Sequence, residues 1–281
     1  MSRRRKIERH RRSLDEIHDI MSSMKTLAYV ANRKLTRLIE TQGRTVESIE
    51  QAAADFLRFN PLVFPVTAAS AEVVILLGSE RGFCGDLNHA LLRRLDADTA
   101  QSESSPLLLA VGHKLHIALE GDARVAASID GASTPDEVPA VLARLVDELS
   151  RLQAQRGPFS LSALYHATEQ TIESTTLLPP FSGLPEPLPA LRNEPVLNLP
   201  APELFAQLID RYLFAVLHRL LFLALWSENY RRMTHLDGAV KRLEDVSAQL
   251  KRQSNTVRQE EIIEEIEVIL LNSTEASQAP S

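Results

Sequence analysis

The run at residues 72–77 (EVVILL) reads as a strand, and Gly78-Ser-Glu-Arg-Gly82-Phe-Cys-Gly85 follows it directly. A glycine-rich turn between a strand and a helix is the arrangement that cradles phosphates with backbone N–H groups. The spacing argues against that use here. A P-loop needs GxxxxGK followed by Ser or Thr, and a dinucleotide fingerprint needs GxGxxG; neither is present. A structural turn is the better reading. His113 and His116 form H-x-x-H, but no third ligand such as a nearby Cys or Asp accompanies them, so no metal is expected. Cys84 as a nucleophile would need a base, which nothing in the sequence supplies, and it reads as a small buried thiol. A single cysteine excludes an internal disulfide framework and a cysteine-rich zinc site, and it fits a reducing compartment. No cofactor is expected.

The elements that would carry these residues divide into helical ends and a mixed middle. Leu14, Ile17, Met21, Met24, Ala28, Ala31, Leu35 and Leu38 recur at alternating spacings of three and four, an a/d seam. With no proline before Pro61, one helix over 5–58 is predicted, roughly 80 Å long. The other end mirrors it with a helix over 203–272, roughly 105 Å. Its first part is apolar nearly all round (Leu204, Phe205, Leu208, Ile209, Tyr212, Leu213) and should be buried on several sides. Later its seam narrows to Leu236, Leu243, Leu250 and Val257, with Ser247 and Ser254 on the companion row.

Between the helices, strands are predicted at 72–77, Leu107–Val111, Val125–Ile129 and 159–167. The last alternates Phe159, Leu161, Ala163 and Tyr165 against a polar face, with Leu164 as its lapse. Thr134-Pro135-Asp136-Glu137 reads as a capping box opening a helix to about Gln155. Strand–helix alternation implies a small α/β domain with a largely parallel sheet, inserted at 70–178 between the helices of 1–60 and 203–272. Residues 179–202 carry eight of the fifteen prolines and read as an extended connector, and 273–281 as a flexible tail.

The 281 residues are 44% apolar and 24% charged, values of a soluble chain with a real core. The longest apolar run, 220–226, falls far short of the ~18 residues of a spanning helix. Charge is unevenly laid out within a net −6: residues 3–12 hold seven Arg or Lys, and residues 259–275 hold six glutamates and no Lys or Arg. Acids at Asp15, Glu16 and Asp19 follow the basic start and no apolar signal core appears, so it reads as part of the mature protein rather than a transit peptide. The acidic total and the lack of aromatics in the basic start also argue against nucleic acid. Arg231-Arg232, Lys241-Arg242 and Lys251-Arg252 recur every ten residues; they spiral round the last helix and read as a solvated exterior that would suit surrounding partners.

Ser79-Glu-Arg-Gly-Phe-Cys-Gly-Asp-Leu-Asn88 resembles the S-D-R-G-L-C-G-G-L-N of the gamma subunits of F-type ATP synthases, differing at Glu80, Phe83 and Asp86. The resemblance extends to Asn255-x-x-Arg258-Gln259-x-x-Ile262-x-x-Glu265, to Glu228, Arg232, Met233 and Ala239, and to Lys25 and Lys34-Leu35. It spans nearly the whole chain in the right order. Departures fall at residues 26–32, at Val240-Lys-Arg242 and at Asn272-Ser-Thr, and they resemble a divergent bacterial branch of the sodium-linked or second-operon type. The coupling ion is not decided by this subunit.

The resemblance implies an antiparallel coiled coil with an inserted Rossmann-like α/β domain, acting as a rotor shaft. Its implied partners are the alpha–beta hexamer, the epsilon subunit and the membrane c ring, with the chain peripheral to the cytoplasmic side of a bacterial inner membrane. It implies no catalytic role, and it points to Lys25, Leu27, Arg232, Met233, Arg258 and Gln259 as coupling residues. With Arg58 opposite Glu203, an antiparallel register sets Lys25 opposite about Leu236, Arg232 at about the same height, and Arg5 opposite about Thr256. Beyond that the last helix should stand alone as a tip. A free-standing coiled-coil scaffold and an α/β nucleotide-binding enzyme with helical arms are the alternatives.

Overall fold

The computed structural model describes residues 3–61, 71–100, 105–181, 184 and 196–277, with α5 side chains described as far as Leu270. In chain order the elements are α1 (Arg3–Phe59), β1 (Ala71–Leu77), α2 (Leu87–Thr99), β2 (Leu107–Val111), α3 (His113–Ala118), β3 (Val125–Ile129), α4 (Val138–Arg156), β4 (Phe159–His166), β5 (Ile172–Leu178) and α5 (Ala201–Ser277). Two compact units result. One is Ala28–Arg232; the other joins the outer parts of the long helices, Met1–Leu27 and Met233–Ser281.

In the larger unit the sheet order is β3-β2-β1-β4-β5, parallel except for β5, which runs antiparallel to β4. β1 is central and buried on both faces, which is why its sequence is apolar without alternation. Val74 and Leu76 face α2 and α3 in a cluster with Leu91, Leu95, Leu108 and Leu115. Val73, Ile75 and Leu77 face the opposite layer, built from α4, from Leu35, Val46, Ala53 and Phe56 of α1, and from the first half of α5. Side chains such as Leu35, Ile75 and Leu109 are wholly buried, each contributing roughly 1.5–3 kcal/mol. Phe56 stacks on Phe205 with centroids 5.8 Å apart, joining the last turn of α1 to the first of α5. Of the apolar start of α5, Phe205 and Tyr212 are buried, while Leu204, Leu208, Ile209 and Leu213 are half-buried against the same core.

Several expectations need correction. β5 is not foreshadowed, because Glu173, Ser174, Thr175 and Thr176 leave no apolar run; as an edge strand it needs only Leu177 in the core. Leu164, the lapse in β4, is no lapse, since it joins the α2–α3 cluster. The capping box is half formed: Thr134 makes no side-chain cap, while Glu137 accepts from the Ser133 N–H at 2.7 Å. That bond, helped by one from the Thr134 hydroxyl and opposed by partial burial, holds the Glu137 carboxyl below its ordinary range. The helix also opens with a short 3-10 turn at Pro135–Glu137. α5 extends to Ser277, into the stretch read as tail, and no proline interrupts it between Pro202 and Pro280. Most of the connector lies outside the described residues.

In the smaller unit, α1 and α5 pair antiparallel. The α5 rows agree with expectation, Leu236 and Val257 being buried, with Val240 and Ser254 on the companion row. On α1 the row of Leu14 and Met21 is in the seam, but Ile17 is 42% exposed, and the second row is instead polar: Arg4, Arg11, His18 and Lys25. Met24 of the expected row is half-buried as well, so apolar type alone misses the polar row beside it. The long basic stems can lie along the seam while their charged ends reach acids on α5.

Candidate functional site

The glycine turn is closed by its own chain. Gly78 lets β1 meet α3 so tightly that a Cβ there would lie 2.6 Å from Leu115 Cβ. Asn88 then fixes the turn, accepting from the Ser79 N–H at 3.0 Å and donating to Ser79 Oγ at 2.9 Å. The Glu80 carboxylate accepts from the N–H groups of His113 (2.8 Å) and Gly131 (2.7 Å), beyond the ends of β2 and β3. The N–H groups of Glu80 and Arg81 point the other way, into a crevice lined by Leu221, Ala224, Leu225 and Glu228 of α5. There they donate to Glu228 Oε2 at 2.9 Å and Oε1 at 3.0 Å. Backbone donors that would hold a phosphate in an open α/β sheet are therefore occupied by two internal carboxylates.

Arg232 lies one turn beyond Glu228 and is only 6% exposed. It forms an ion pair with Glu228, donates from Nε to the Gly82 carbonyl at 3.1 Å, and donates from Nη1 to Asn229 Oδ1 at 2.7 Å. Burial raises the Glu228 carboxyl pKa against the opposing pull of Arg232 and the two N–H donors. Cys84 is buried and donates to the carbonyls of Arg81 and Gly82. Burial and the neighbouring Glu228 push its thiol up to about 12, so it is no thiolate nucleophile. Arg231 adds a third tie, donating to Asp86 Oδ1 at 2.8 Å and to the Glu169 carbonyl at 2.9 Å. Partial burial would raise the Asp86 carboxyl, but the bond from Arg93 and the charge of Arg231 outweigh it and hold it low.

Arg231 and Arg232 are thus fasteners of α5 to the α/β domain, not the solvated cations their spacing suggests. Lys241, Arg242, Lys251 and Arg252 are exposed. Lys25 and Arg232 fall in different units, each with its own partners: Lys25 Nζ donates to Asp237 Oδ1 at 3.0 Å. Leu27 is 70% exposed, Met233 is half-buried, and Arg258 and Gln259 are exposed on α5. Glu228 carries the turn, yet in the sequence it stands out only as part of a motif. Its spacing of four from Arg232 is the signal that could have flagged the pair. Among the described residues no group of three or more His, Cys, Asp or Glu could hold a metal ion. Nor is any described helix long and apolar enough to cross a membrane.

In the outer unit the two chain-end helices run antiparallel, and in the larger unit α5 fills the crevice of the α/β domain beside the glycine turn. A family model described as ATP synthase matches residues 3–272, and the chain belongs to that family, as a gamma subunit. It is similar to the ATP synthase gamma chain of Polynucleobacter asymbioticus, 22% identical over 92% of this chain and 94% of that one. A gamma chain of Clostridium botulinum is 20% identical over 94% of this chain and 95% of its own length. In fold the chain is similar to a chain of the Euglena gracilis mitochondrial ATP synthase (OSCP/F1/c-ring, rotational state 3), with TM-score 0.63, 13% identity and coverage of 99% and 97%. A chain of the Tetrahymena thermophila mitochondrial ATP synthase central stalk and c ring gives TM-score 0.55 at 16% identity, over 78% of this chain and 99% of that one.

Proposed function

We infer that this chain is the central-stalk subunit of an F-type ATP synthase, coupling rotation of a membrane ring to ATP synthesis or hydrolysis on beta subunits. The observation that carries the reading is the family match over 3–272, laid on a helix pair that spans both chain ends. Catalysis belongs to the beta subunits; this chain's part is to present a different face to each of them as it turns. A partner shifts a conformational equilibrium only through differential contact energy, so the asymmetry of the shaft is what does the work. Its partners are the alpha–beta hexamer, the epsilon subunit and the c ring, and it is a peripheral part of that complex.

The finer assignments rest on the resemblance. The complex is assigned to the cytoplasmic face of a bacterial inner membrane. The coupling residues are assigned to Lys25, Leu27, Arg232, Met233, Arg258 and Gln259, and the exposure of Leu27, Arg258 and Gln259 supports a contact role for those three. Arg232, being buried, would act by positioning the glycine turn. Co-purification of a hexameric ATPase with the tagged chain tests the central-stalk reading. Recovery of the chain alone from membranes holding an active complex would favour a free-standing scaffold.

A further inference from the structure

We propose that the glycine turn after β1 is an anion-binding loop whose ligand the chain itself supplies: the Glu228 carboxylate of α5, over which Arg232 closes. The geometry is that of a receptor and its ligand. Both carboxylate oxygens are used, Oε2 by the Glu80 N–H and Oε1 by the Arg81 N–H, and Arg232 adds a guanidinium on Oε1. Glu228, Asn229 and Arg232 are all buried, so this contact excludes water. Hydrogen bonds to a charged acceptor in such surroundings are worth more than neutral ones. Arg232 also reaches back to the Gly82 carbonyl, and Arg231 holds Asp86 at the end of the same turn. One helical turn of α5 thereby grips the loop over residues 80–86.

The start of the turn is also tied through Ser79, Glu80 and Arg81, by Asn88, by the His113 and Gly131 N–H groups and by the Ser133 hydroxyl, while its tip is open. Gly82 and Gly85 have open space where a Cβ would stand, and Phe83 takes a φ of 64° with its ring half exposed. A loop in that conformation stays in place through its hydrogen bonds rather than through packing. The mechanical consequence, which rests on the central-stalk reading, is that Glu228 makes the loop turn with α5, adding to the core packing that already joins the first half of α5 to the α/β domain.

The test uses the full-length chain and backbone amide exchange. Glu228→Ala should speed exchange at the Glu80 and Arg81 amides by about tenfold or more, and formate should slow it again in a saturable way. Formate should leave the unsubstituted protein unchanged, its site being filled. Unaltered exchange in Glu228→Ala, or no response to formate, would overturn the anion site. Should Glu228→Ala fail to fold, Arg232→Ala and Arg232→Lys take its place. The alanine should speed the same exchange and the lysine should restore part of the protection; equal effects of the two would overturn the role given to Arg232. In complexes assembled with Glu228→Ala, ions pumped per ATP hydrolysed should fall and formate should raise them; a ratio unchanged while the amides exchange faster would overturn the mechanical half. Failure of the unsubstituted chain to join a hexameric ATPase would instead count against the central-stalk reading, while the exchange result would still decide the anion site.

Discussion

Lys25 Nζ lies 3.0 Å from Asp237 Oδ1, and the same antiparallel register brings His18 to Glu244 and Ser247 to Asp15. Every step along α1 is matched by an equal step back along α5. The seam of this outer unit is therefore half apolar and half charged, and its charged half should respond to salt. Lys25→Ala should lower the melting temperature at low ionic strength, and the difference should shrink towards zero by about 1 M salt. Lys25→Asp should lower it further, and adding Asp237→Lys should recover most of that loss. A loss in Lys25→Ala that stays constant with salt would show that the stem's packing, not the pair, matters.

Two titrating groups in that seam set a pH window. The His18 pKa is raised, first by its hydrogen bond with Asp19 and then by that with Glu244. Its contribution is complete below the ordinary value of 6.5 and is lost as pH rises through the higher folded value. The Asp237 carboxyl is lowered, first by Lys241 and then by Lys25. Its contribution is present above the ordinary 3.8 and is lost as pH falls through the lower folded value. The helix pair should accordingly be held best between these two ordinary values. Chemical-shift titration of His18, with His18→Gln as control, checks the upper edge. A His18 midpoint at or below 6.5 would contradict the pairing.

The same seam shows what is legible in the sequence. Leu236, Leu243, Leu250 and Val257 are readable because one row of apolar residues at heptad spacing has few other uses. The second row of α1 is not, because His18 and Lys25 look like surface residues until their α5 partners are known. β1 and β2 stand out as continuous apolar runs, whereas β5 needs only a little burial and is written in Ser and Thr. The glycine turn is visible too, but its structural use is not. That use depends on Glu228, which lies almost 150 residues away (Glu80 N to Glu228 Oε2, a separation of 148), and no local pattern reports such a contact.

In the crevice beside the glycine turn, the Glu228 carboxylate takes the N–H groups of Glu80 and Arg81. Calorimetry of the full-length chain with ATP and with NAD should show no saturable heat, since the N–H donors at Glu80, Arg81, His113 and Gly131 are all taken. Micromolar binding of either would revive the enzyme reading.

Close approach, not turn conformation, is what requires glycine at 78. Gly78→Ala would set a Cβ 2.6 Å from Leu115 Cβ and 2.7 Å from Asn88 Oδ1. Overpacking of this kind should cost about 1–3 kcal/mol in urea denaturation. Gly82→Ala meets nothing within 4 Å and should change stability by less than about 0.5 kcal/mol. Similar losses in both would mean that backbone freedom, rather than the contact with α3, fixes these positions.

The last described turns of α5 carry an exposed apolar stripe. Arg4 Nη1 lies 3.9 Å from Glu261 Oε2 in the first turns of α1, and past that point Ile262, Ile263, Ile266, Val268, Ile269 and Leu270 are all exposed. An isolated helix of this length is marginal in water, and a run of exposed isoleucines marks a surface that is covered in use. Under the central-stalk reading, the alpha–beta hexamer is the expected cover. Arg4 and its basic neighbours in residues 3–12 can offset the nearby glutamates, but exposed pairs contribute little, about 0–1 kcal/mol each. The tip should centre the shaft rather than carry most of the torque. Deleting the residues after Asn255 should weaken assembly with the hexamer and lower the melting temperature of the complex, while complexes that do form keep part of their rotation-coupled ATP hydrolysis. Unchanged assembly and melting would leave the exposed stripe without a bearing role, and complete loss of coupling in assembled complexes would assign the torque to the tip.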